Sequence, residues 1–76
     1  MRETVEMIVK ALVDDTEAVE VREFERKDAL VIEIRVAQTD MGKLIGRQGR
    51  TVRALRSLVN AASIKQNRRY VLDIAE

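Results

Sequence analysis

Ile45-Gly46-Arg47-Gln48-Gly49-Arg50-Thr51-Val52 is the stretch on which the reading of this chain turns. Two glycines lie three residues apart, two polar residues stand between them, and apolar residues flank both sides. Glycine reaches positive φ without strain and has no Cβ to hold a phosphate away, so a sugar-phosphate backbone can lie against the main chain. A helix that starts after Gly49 offers unpaired amides and the positive end of its dipole to the same anion. Arg47 adds a planar, permanently charged donor and Gln48 an amide donor, which suits both to phosphate or sugar contact. The plainer alternative is that the glycines only end one helix and turn into the next.

Working outward from this stretch, Thr39 or Asp40 can cap a short helix over residues 41–45. After it, residues 50–65 return to helical spacing, with Val52, Leu55, Val59 and Ala62 on one stripe and Arg50, Arg53, Ser57 and Asn60 on another. Upstream, Leu30, Ile32, Ile34 and Val36 alternate with Val31, Glu33 and Arg35, which describes a strand with one buried face. Lys27-Asp28 makes a short turn back into residues 19–26, where Phe24 falls out of phase with Val19 and Val21. That phase break predicts a bulge or a register shift in the strand. Val5, Ile8, Val9, Leu12 and Val13 place a single apolar stripe on a helix over residues 2–14, ended by Asp14-Asp15-Thr16. At the far end Tyr70, Leu72 and Ile74 alternate as a last strand. The order α-β-β-α-α-β, with one apolar stripe per helix, predicts an α+β domain of three strands backed by three helices over residues 1–76.

Composition narrows the chemistry. The 76 residues include no Cys and no His, which removes disulfides, thiolate and imidazole metal ligands and the commonest general base. Asp14-Asp15 and the scattered Glu residues suit solvated helix ends and strand faces better than a paired acid and base, so neither catalysis, a cofactor nor a metal is expected. The runs of apolar residues are too short for a signal peptide or a membrane span, and a cytoplasmic setting is the expectation. Net charge is +1, yet residues 1–40 carry −5 and residues 41–76 carry +6. Segregation of this size suggests a basic face for a polyanion, chance distribution over solvated helices being the alternative. From Met41 to Leu72 there are eight basic residues and no acidic one.

On these residues the chain resembles the KH family, whose signature is an apolar residue and Gly, two variable residues, Gly, and an apolar residue three further on. Here those are Ile45-Gly46, Arg47-Gln48, Gly49 and Val52. The element order is similar to the type II KH arrangement over essentially the whole chain. Asp40-Met41-Gly42-Lys43-Leu44-Ile45-Gly46 resembles the corresponding run of small bacterial single-KH proteins of the KhpA type. The resemblance implies single-stranded RNA as ligand and a role as RNA chaperone or post-transcriptional regulator. It also implies self-association as a homodimer and pairing with a larger multidomain KH protein of the KhpB (Jag) type.

KH loops clamp about four nucleotides, with bases in a groove between the helix leading into the loop and the neighbouring strand. Carried over, this makes Lys43, Leu44, Ile45, Gly46, Arg47, Gln48, Gly49, Arg50 and Arg53 the RNA-binding candidates, with Ile32 and Ile34 at the groove's edge. Core packing is the alternative for Leu44 and Ile45, and is favoured for Ile32 and Ile34. Arg50 and Arg53 stand near the positive end of their helix, where the dipole gives them nothing and a polyanion would. Arg56 sits away from that stripe, while Arg68 and Arg69 offer general electrostatic support. Phe24 and Tyr70 are the only aromatics and both lie in strand patterns, so a surface of stacking platforms is not expected. Leu58, Ala61 and Ile64 form a separate helix side that suggests a dimer or partner face, unless it fills the core.

Overall fold

Val5, Val9 and Val13 recur every fourth residue; the helix α1 (Arg2–Leu12) buries the first two in the core, and Val13, just past its end, is buried with them. The computed structural model describes residues 1–75. α1 stops at Leu12 because Val13 takes an extended conformation, and a single helical turn at Thr16–Ala18 leads into the sheet. Strands β1 (Glu20–Arg26) and β2 (Ala29–Arg35) pair antiparallel through the Lys27-Asp28 turn, and β3 (Tyr70–Ile74) joins β2 in parallel. The spatial order β1-β2-β3 puts β2 in the centre. Between β2 and β3 the chain crosses over through a turn at Gln38–Asp40, the short helix α2 (Met41–Ile45), a turn at Arg47–Gly49 and the long helix α3 (Arg50–Gln66). Among the described residues no helix is long and apolar enough to cross a membrane.

The architecture is the α+β arrangement expected, but β1 differs from expectation. Its register with β2 runs without interruption from Glu20↔Arg35 to Arg26↔Ala29, so there is neither bulge nor shift. The phase break arises because the sheet carries apolar residues on both faces. Val21, Ile32, Ile34 and Leu72 are buried on the face that the helices cover. Phe24, Val31 and Val71 align across the three strands on the other face. There Phe24 is half-buried, with the Arg22 and Arg26 guanidinium carbons 5.9 and 5.5 Å from its ring centroid. Val31 beside it is only 4% exposed.

Candidate nucleic-acid interface

Gly46 ends α2 at φ 79° and ψ 167°, a conformation open only to glycine without strain. A Cβ there would stand 2.2 Å from Thr51 Oγ1 and 2.7 Å from the Thr51 amide nitrogen, so α3 starts close against this residue. Gly49 caps α3 in the left-handed region at φ 74°, where a Cβ would make only an ordinary contact, 4.0 Å from Val52 Cγ1. Between them Gln48 is itself left-handed at φ 57°. The result is a tight turn whose tip, Arg47 and Gln48, is exposed to solvent.

The turn is closed by its own backbone bonds. Gly46 N–H donates to Gly42 O at 2.8 Å, Gly49 N–H donates to Gly46 O at 3.0 Å, and Arg50 N–H donates to Arg47 O. A turn with Gly46, Gln48 and Gly49 all at positive φ and an exposed guanidinium and carboxamide at its tip makes a concave surface suited to an anion. The glycine amides are already used within the turn.

Arg53 turns back onto the same loop. Its Nη2 donates to Gln48 O at 2.6 Å and its Nε to Gly49 O at 3.4 Å, so its donors brace the backbone. Arg50 is exposed at the start of α3 and Ile45 is 40% exposed at the end of α2. Leu44, Ile32 and Ile34 have no exposed surface. Leu44 is thereby corrected from groove candidate to core, and Ile32 and Ile34 take the core place already favoured for them.

Lys43 also has a task of its own. Its Nζ pairs with Asp14 and lies 3.7 Å from Asp40. Asp40 is 2% exposed and does not cap α2. Its carboxylate instead accepts the amides of Asp15 at 2.9 Å and Asp14 at 3.3 Å, which ties the end of α1 to the start of α2. The Asp15 amide above all, against a contrary effect of burial, holds the Asp40 carboxyl below its usual pKa, with the Asp14 amide and Lys43 helping. The hydrogen bond to Asp14 raises that of Lys43.

Along the other flank of α3 the open edge of β3 borders a depression of about 430 Å³, to which Arg56, Asn60, Ser63, Arg69 and Leu72 contribute. Ser63 Oγ accepts the Tyr70 amide at 3.0 Å and Asp73 Oδ1 accepts the Ile74 amide at 3.1 Å. Both residues therefore satisfy the edge locally, to either side of Leu72. No carboxylate lines this depression among the described residues. Sequence reading set Arg56 apart, yet Arg53, Arg56, Asn60 and Ser63 follow one another at steps of three and four down this flank.

Leu58, Ala61 and Ile64 are all exposed, Ile64 at 76%, so they do not fill the core. They do not form one strip either. Leu58 joins Ile8, Leu12, Ala54 and Leu55 in an apolar groove between α1 and α3. Ile64 lies elsewhere, beside Asn67 and Arg68.

The KhpA/KhpB KH-domain family model matches residues 2–74. A protein of Halalkalibacterium halodurans named RNA-binding protein KhpA is 51% identical over 76 residues, the whole of both chains. The protein of the same name from Caldanaerobacter subterraneus is 49% identical over 74 residues, 97% of this chain and 99% of its own. That of Clostridium perfringens is 46% identical with the same coverage. No solved structure gives a significant match.

Proposed function

The chain belongs to the KhpA/KhpB family of KH domains, which is not a catalytic family, and from that premise we propose that it binds single-stranded RNA through the Gly46–Gly49 loop. The tight turn itself carries the proposal, since Gly46, Gln48 and Gly49 at positive φ hold Arg47 and Gln48 together at an exposed tip that matches a phosphodiester. Arg47, Gln48 and Arg50 supply charged and polar donors to the same phosphates, and Gly46 and Gly49 let the strand approach. Arg53 is a positioning residue, bonding the carbonyls of Gln48 and Gly49 and so fixing the conformation of the turn. Bases then leave the loop past Ile45 and along the α3–β3 edge. There Leu72, Arg56 and Asn60 offer backbone and side-chain partners to their polar edges. The cellular role that fits a small non-catalytic binder of this kind is that of an RNA chaperone or post-transcriptional regulator.

A fluorescence-anisotropy titration of a short unstructured RNA at several salt concentrations tests this. Two or three neutralised phosphates predict a log-log salt slope of about −1.4 to −2.1 for the wild type. The Arg47→Asp/Gln48→Asp double variant, shown to be folded by circular dichroism, should lose binding at least about tenfold. Equal binding by both proteins would make the loop a structural turn.

The α1–α3 groove favours a second property, self-association. Ile8, Leu12, Ala54 and Leu58 leave apolar surface uncovered, which a second copy or a larger multidomain KH protein of the KhpB type could close.

A further inference from the structure

The end of the sheet farthest from the loop gathers cations that a four-nucleotide clamp does not reach. Leu30 N–H donates to Arg69 O at 2.8 Å, which brings Arg69 alongside the β1–β2 turn. Arg26, Lys27 and Arg69 line a shared depression with Asp28 and Ala29, three positive charges against one negative. Among the described residues Lys27 and Arg69 enter no ion pair, whereas the neighbouring Arg68 lies 4.0 Å from Glu25. Lys27 also occupies the first central position of a two-residue hairpin turn at φ 54°, a place where glycine is the usual residue. Arg69 belongs equally to the α3–β3 depression, whose nearest residue to the loop in sequence is Arg56, so the two cationic regions meet at this side chain.

We propose that Arg69 and Lys27, with Arg26, form a second phosphate contact for the same RNA strand, so that the footprint runs from the loop down the α3–β3 edge to the hairpin turn. The inference rests on the RNA-binding reading of the loop and extends it. The 17 residues of α3 separate the two sites by about 25 Å at 1.5 Å per residue. A strand stacked at about 3.4 Å per nucleotide needs roughly seven nucleotides to cover that distance, and a more extended strand needs fewer. A tetranucleotide would fill the clamp alone, and a strand of eight would reach both ends.

Labelled adenosine and uridine homopolymers of four and eight nucleotides test the proposal, titrated across a salt series against wild type and an Arg26→Ser/Lys27→Ser variant, which leaves the α3–β3 depression untouched. Affinity for the longer strand rises several-fold merely because it offers the clamp more registers. The salt slope is therefore the deciding quantity. In wild type it should steepen by about 1.4 from four to eight nucleotides, for two added phosphates. The variant should bind the tetramer as wild type does, keep the shallow slope on the octamer and bind the octamer about tenfold more weakly. An unchanged slope between lengths in wild type, or an octamer bound alike by both proteins, overturns the second contact. The Arg47→Asp/Gln48→Asp variant reports on the clamp separately: if it binds the tetramer as wild type does, the loop reading fails, whatever the octamer shows.

Discussion

Gly46 and Gly49 share a positive φ but differ in surroundings, and the difference separates their mutational costs. At Gly49 an alanine meets only Val52 Cγ1, at an ordinary 4.0 Å, so it pays only for the left-handed backbone, about 1–2 kcal/mol. At Gly46 it adds a collision with Thr51, and Thr51→Ala cannot relieve it because the Thr51 amide and Cβ are both 2.7 Å from the new methyl. Urea unfolding should therefore show Gly49→Ala folded with a modestly lowered midpoint, and Gly46→Ala either unfolded or at least about 2 kcal/mol less stable. Equal costs at the two positions would refute the packing argument. Arg47 and Arg53 part in a similar way. Arg47→Ala should flatten the RNA salt slope by about 0.7, for one lost phosphate. Arg53→Ala should weaken binding about two- to fivefold at nearly constant slope, since it loses hydrogen bonds to the loop and not to the ligand. The glycine spacing and the basic run pointed to the loop from sequence alone. That Arg53 folds back, and that Lys43 is held by carboxylates, could not be read there, because both depend on where the next turn of chain brings its acceptors.

Asp40 works between elements. Its carboxylate is the acceptor for two amides at the end of α1 while its own backbone begins α2, so it fixes the angle at which the loop's leading helix leaves the sheet. A carboxyl whose folded pKa is depressed adds stability above its ordinary value near 3.9, and that stability is lost as pH falls through the folded value. Wild-type Tm should thus decline as pH drops below about 4. Asp40→Asn should melt several degrees lower at pH 7 and show a flatter profile between about pH 5 and pH 2, measured by circular dichroism. Parallel profiles would show that the carboxylate's charge contributes nothing. At this scale the sequence was legible in kind and order. Each helix and strand followed from a single period, and the edges shifted by a residue or two. What misled was the assumption that one sheet face is apolar: Phe24 and Val31 stabilise the helix-free face, and a two-faced strand looks like a broken one. Asp40 misled for a related reason, since a residue with the chemistry of a helix cap can serve a different helix that arrives from 25 residues away.

At the scale of the whole chain the charge division becomes spatial. The acidic half builds α1, β1 and β2, and the basic half builds α2, the loop, α3 and β3, so a polyanion meets one flank of the molecule. We read residues 1–76 as one cooperative unit, for which calorimetry should record a single transition with an enthalpy of about 50 kcal/mol near 60 °C. The same experiment addresses self-association, because a single KH site of modest affinity gains most from a second one held nearby. If a second copy closes the groove at Ile8, Leu12 and Leu58, unfolding is coupled to dissociation and Tm depends on protein concentration. For an entropy of about 2.1 cal/mol/K per residue, a tenfold rise in concentration should raise Tm by about 4 °C. Leu58 is 41% exposed, so Leu58→Glu should keep the fold, abolish that dependence and leave tetranucleotide binding intact while weakening the avidity for long RNA. A wild-type Tm that stays constant with concentration would mean that no second copy covers the groove. A wild-type dependence retained in Leu58→Glu would place the contact on another surface, with the exposed Ile64 at the opposite end of α3 the next position to change.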